Sequence, residues 1–64
     1  LLRRTLAAWF RHNVQPLATS KALFIHRNTL EYRLNRISEL TGLDLGSFDD
    51  RLLLYIALQL DEQR

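Results

Sequence analysis

Residues 18–34 read Ala18-Thr19-Ser20-Lys21-Ala22-Leu23-Phe24-Ile25-His26-Arg27-Asn28-Thr29-Leu30-Glu31-Tyr32-Arg33-Leu34, and this stretch decides the fold. Pro16 suits the first turn of a helix, because its missing N–H would have had no partner there. A short helix is therefore expected from about Pro16 to Leu23. Phe24-Ile25-His26 is too short for anything but a tight turn. His26 then takes the N-cap place of a longer helix, Arg27 to about Leu40, with Gly42 as its stop signal. Leu30, Leu34, Ile37 and Thr41 recur at helical spacing, so this helix is expected to bury one narrow stripe. A short helix, a three-residue turn and a longer helix with a lean apolar stripe form a helix-turn-helix, which presents its second helix to the major groove of DNA.

The rest of the long helix carries the chemistry. With Leu30 at the origin and about 100° per residue, Leu34 and Ile37 fall near it, whereas Asn28, Tyr32, Asn35 and Arg36 fall between about 140° and 240°. Glu31 and Thr29 flank that outward face. Asn bonds adenine through two hydrogen bonds, Arg does the same to guanine, and Glu accepts from cytosine N4. Thr and Tyr reach a phosphate or a thymine methyl. A solvated polar face is the competing reading, and a partnerless helix would more often carry Glu, Lys and Ala. Arg33 borders the core, with its stem along apolar surface; its head either reaches a phosphate or pairs with an acid of the molecule. His26 either donates to a phosphate near the helix N-terminus or only caps and packs. Arg3 and Arg4 lie on another helix, where phosphate is their plausible contact. Lys21 and Arg27 complete the expected DNA-binding set.

Working outward, two further helices are expected. One runs from about Leu2 to His12, with Leu2, Leu6, Trp9 and Phe10 on one face. The other runs from about Phe48 to Glu62. Ser47 with Asp50 resembles a capping box with Asp in place of Glu, and Asp49 and Asp50 favour the positive end of the helix dipole. Phe48, Leu52, Ile56 and Leu60 make one apolar row of this last helix, and Leu54 and Leu58 make another. Such a helix is central to the core or shared with a partner. The expected fold is thus all-α: one compact four-helix domain spanning residues 1–64.

Composition sets the outer limits. The 64 residues carry a formal charge of only +2. Residues 1–36 nevertheless hold seven basic side chains against the single acid Glu31, and residues 37–64 hold six acids against Arg51 and Arg64. That asymmetry suits a basic face for a polyanion with an acidic end held away from it, although two solvated faces of opposite sign would look the same. The chain has no cysteine and two histidines, His12 and His26. No metal-ligand spacing, phosphate loop or nucleophile elbow is visible, so neither catalysis nor a cofactor or metal is expected. No apolar run approaches the roughly 18 residues of a membrane span, and a cytoplasmic, nucleoid-associated location is expected. The chain starts in mid-pattern at Leu1 with no initiator Met, which reads as a fragment of something longer.

The stretch Phe24-Ile25-His26-Arg27-Asn28-Thr29-Leu30-Glu31-Tyr32-Arg33-Leu34, followed by Leu40-Thr41-Gly42, resembles the C-terminal helix-turn-helix of PucR-type bacterial transcription regulators. Fis-type DNA-binding domains are a more distant likeness. The resemblance extends over nearly the whole chain, including Asp50-Arg51-Leu52. It implies double-stranded DNA as the partner, an upstream ligand-sensing region outside this chain, and dimers or larger assemblies of the whole protein. Within the family the likeness is to activators of genes for sugar diacid uptake and breakdown. No small molecule is expected to bind these residues themselves, and no membrane. Two departures from the general helix-turn-helix pattern stand out: Phe24 where many turns have Gly, and Thr19-Ser20 where a small apolar pair is common. The alternative reading is a helical interaction or dimerisation module that uses Leu54, Leu58 and Tyr55.

Overall fold

The computed structural model describes residues 1–63. It contains four helices in chain order, α1 (Leu2–Arg11), α2 (Pro16–Leu23), α3 (Arg27–Thr41) and α4 (Phe48–Glu62). No strand occurs among the described residues. The domain is therefore all-α. α1 ends one residue earlier than expected, at Arg11, and α3 ends one residue later, at Thr41.

The core joins three helices. Leu6 and Trp9 of α1, Ile37 of α3 and Leu54 and Leu58 of α4 form one buried cluster, bordered by Leu2, Phe10, Val14, Leu34, Leu43 and Leu45. Phe10 stacks edge-on against Tyr55 at 5.3 Å between ring centroids, which extends the α1–α4 contact to the surface. α1 also packs across α2 and α3, and Leu30 is 0% exposed. Thr5, Thr19 and Ser20 are buried too. Their hydroxyls donate to Leu1 O, Gln15 O and Leu17 O, at 2.9, 2.7 and 2.9 Å. Each buried hydroxyl is thereby satisfied within its own helix, which explains why Thr19-Ser20 stands without loss where an apolar pair is usual.

The first three helices stop in the same way, on a residue in the left-handed region. After α1, Asn13 N–H donates to Phe10 O and Val14 N–H to Trp9 O. After α2, Phe24 N–H donates to Lys21 O and Ile25 N–H to Ser20 O. Both are Schellman closures, with Asn13 at φ 58° and Phe24 at φ 57° in the place usually held by glycine. Val14 is left-handed as well, at φ 64°. Gly42, at φ 73°, closes α3 through a bond from its N–H to Ser38 O. Thr41 Oγ1 donates to Ile37 O and accepts from Leu43 N–H, so it secures the exit from α3.

Three expectations are corrected. Thr41 is exposed rather than part of the buried stripe, which ends at Ile37; the chain turns away at Gly42 and leaves nothing to cover it. Ser47 makes no side-chain cap bond. Its N–H is already spent on Asp44 O, so the Asp50 carboxylate accepts instead from Asp44 N–H at 2.8 Å. On α4, Leu54 and Leu58 are core residues and cannot form a partner surface; the row Phe48, Leu52, Ile56 and Leu60 is the exposed one. α1 covers one side of α4 and meets the Leu54–Leu58 row.

Candidate nucleic-acid interface

The turn sets how α3 leaves α2. Phe24 reverses the backbone, Ile25 returns half-buried toward the domain, and His26 adopts an extended conformation at φ −70°, ψ 148°. His26 Nδ1 accepts from Asn28 N–H at 3.1 Å. The ring therefore caps α3, with its proton on Nε2, and one orphan N–H of the first turn is satisfied. Beyond that cap α3 runs as one uninterrupted helix. Leu30 and Ile37 face inward and Leu34 is half-buried.

All the residues of α3 itself that are expected to meet DNA lie in solvent: Arg27, Asn28, Thr29, Glu31, Tyr32, Asn35 and Arg36 are exposed. Tyr32 is 69% exposed although it is an aromatic residue in the middle of a helix. The two cations of this surface have acidic neighbours on the same helix. Arg27 Nε lies 3.8 Å from Glu31 Oε1, and Arg36 Nη1 lies 3.3 Å from Glu39 Oε1. Exposed pairs like these are worth about 0–1 kcal/mol, so a phosphate can displace either acid.

The Arg33 head turns toward α1. Half-buried, its Nη1 donates to the buried Thr5 Oγ1 at 3.4 Å, tying α3 to α1. Arg3 is held by Asp61 at 2.6 Å, which joins the start of α1 to the end of α4. The pair is exposed, so a phosphate can compete with that carboxylate for Arg3. Arg4 lies instead in a groove of about 390 Å³ between α1 and α2, together with Arg11, His12, Ala22 and Leu23. Lys21 is exposed on α2.

Sequence reasoning passed over Thr5, Arg11 and His12. Arg4 and Arg11 are seven apart, two helical turns on one face of α1, and that spacing was the available signal for a basic strip. Nothing in the local sequence of Thr5 points to a partner 28 residues away. Among the described residues no helix is long and apolar enough to cross a membrane.

A capped helix held by a tight turn against a supporting helix, its outer face carrying exposed polar side chains, defines a helix-turn-helix DNA-binding domain. The chain belongs to the PucR C-terminal helix-turn-helix domain family, whose model matches residues 2–60. It is 95% identical over its whole length to the carbohydrate diacid regulator of Escherichia coli strain K12, of which it covers 17%. It is 44% identical over 92% of its length to the transcriptional activator PmfR of Paenarthrobacter nicotinovorans, covering 13% of that protein. It is 38% identical over 98% of its length to the proline-responsive transcriptional activator PutR of Bacillus subtilis, covering 15%. The chain thus spans less than a fifth of each of these relatives. No solved structure matches it. Membership in this family makes the chain a DNA-binding domain of a transcription regulator.

Proposed function

We propose that this chain reads double-stranded DNA through α3, as the C-terminal domain of a transcription activator of sugar diacid utilisation genes. Asn28, Tyr32, Asn35 and Arg36 are the base-reading group, with Thr29 and Glu31 beside them. His26 Nε2–H, Arg27, Lys21 and Arg4 meet phosphates, and Arg3 joins them by exchanging Asp61 for a phosphate. The observation that carries this reading is the outward face of α3: polar, base-competent and exposed, on a helix fixed by its cap and by Leu30. The sugar diacid assignment leans on the likeness to the E. coli regulator. The domain measures 27 × 23 × 19 Å, which suits one copy per half-site when half-sites lie about 34 Å apart. The whole regulator accordingly acts as a dimer or larger assembly, and the isolated domain binds DNA weakly.

Footprinting of the whole regulator on genomic fragments, with and without glucarate, tests the proposal. Protection upstream of sugar diacid uptake and breakdown genes, altered by glucarate, is the expected result. Protection confined to unrelated promoters would overturn the gene assignment. Absence of any protected site would overturn the DNA-reading role.

A further inference from the structure

α4 has an apolar side that nothing in the domain covers. Leu54 and Leu58 point into the core. Roughly opposite them on the helix, Phe48 is 69%, Ile56 48% and Leu60 65% exposed, with Leu52, Leu53 and Tyr55 also exposed. The row Phe48, Leu52, Ile56, Leu60 repeats every four residues along the whole helix and carries no charge. At its N-terminal end it borders a groove of about 290 Å³, lined by Phe10, Val14, Phe48, Arg51, Leu52 and Tyr55. At its C-terminal end Ile56 and Leu60 continue the exposed row. Contiguous apolar surface of this kind marks an interaction site.

We infer that this face binds a second copy of the same chain, through antiparallel packing of α4 on α4. The surface is self-complementary under a two-fold axis. The groove lies at the Phe48 end only, so reversing one helix sets the exposed Leu60 end of each copy against the groove of the other. A single antiparallel register, in which Phe48 lies opposite Leu60, also brings Leu52 opposite Ile56, with Leu53 and Tyr55 on the two flanks of the row. All four side chains of the uncharged row are then paired. The same register sets Asp49 opposite Gln59, so no like charges meet across the pair, and the helix dipoles run opposed. None of the outward residues of α3 belongs to this surface, which leaves both reading helices free. Four turns of helix bury on the order of 1,000 Å² in total, the size of a weak pair. Association is therefore modest for free domains and strong for domains already tethered in one assembly. The inference rests on the reading of the whole regulator as an oligomer, and its test uses no DNA, so its failure would leave the DNA-reading role standing.

The 64-residue chain is examined by sedimentation velocity from roughly 20 µM to 1 mM, the range where so small an interface associates. A concentration-dependent dimer is expected, and Ile56→Asp should weaken it at least about tenfold with the helical circular dichroism unchanged. The chain has no cysteine, which permits a second readout independent of any loss of stability. Leu52→Cys and Ile56→Cys chains, mixed and oxidised, should form the mixed disulfide in preference to either like pair. A monomer at the highest concentration, a dimer indifferent to Ile56→Asp, or like-with-like disulfides in excess would each overturn the proposal. So would α4 resonances that move only when the part of the E. coli regulator outside the match is added, because the face would then belong to that region.

Discussion

Replacing Phe24 by glycine should make the domain more stable, despite removing a phenyl ring. Phe24 sits at φ 57°, ψ 42°, where an L-residue pays about 1–2 kcal/mol. Its side chain is 94% exposed, so truncation forfeits almost no burial. Against the relieved strain stands the greater freedom of glycine in the unfolded chain, about 0.5–1 kcal/mol. Both Schellman hydrogen bonds come from the backbone and survive the change. The balance favours glycine by about 0.5–1 kcal/mol, which in a domain of this size raises Tm by roughly 2–8 °C. Thermal denaturation followed by circular dichroism, with urea denaturation as a second measure, reads the effect directly. Equal urea m-values for the two proteins would confirm that the change acts on stability alone. A loss of more than about 1 kcal/mol would refute the reasoning, because it would require the ring to carry packing that its exposure denies. Should Phe24→Gly also weaken operator binding while raising Tm, the ring is kept for what it touches outside the domain, as strained residues at functional sites often are.

Other outcomes follow from the same geometry. Asn28→Ala and Tyr32→Ala, in the whole regulator, should each lose about 1–3 kcal/mol of operator binding while binding to random DNA hardly changes, as competition binding would show; full operator preference in folded variants would remove α3 as the reader. Arg4→Ala should weaken operator and random DNA alike and lower the slope of log K against log salt by about one, measured by fluorescence anisotropy at several salt concentrations. Leu30→Ala should cost roughly 2–5 kcal/mol of folding stability, enough to unfold much of so small a domain, and circular dichroism would report it. His26→Ala removes the acceptor for Asn28 N–H and should cost about 1 kcal/mol in chemical denaturation, whereas His26→Asn should restore most of it.

The helix-turn-helix was legible because its signals are local. Pro16, His26 and Gly42 mark ends by backbone chemistry that needs no distant partner, and the Leu30–Leu34–Ile37 stripe leaves one way for α3 to face. α4 was ambiguous for the opposite reason. It is apolar on two sides, and periodicity cannot say which row α1 will cover; that choice depends on how Leu6 and Trp9 meet Leu54 and Leu58. The links from Arg33 to Thr5 and from Arg3 to Asp61 join elements far apart in the chain, and no spacing rule encodes them. The left-handed Val14 and Phe24 were hidden too, since neither residue type favours that conformation; only the missing glycine at position 24 hinted at it.

The ion pairs of α3 have a kinetic consequence. Under the proposed DNA-reading role, Arg27 and Arg36 reach DNA already neighboured by Glu31 and Glu39, so α3 projects little net positive field. Long-range attraction to a duplex must come from Arg4, Arg11 and Lys21 on α1 and α2. Under the same proposal the domain is expected to arrive on its flank and turn α3 into the groove afterwards, as the arginines exchange carboxylate for phosphate. Association rate and dwell time are thereby assigned to different helices. Ionic strength is then expected to govern chiefly how fast the protein lands, and base sequence how long it stays.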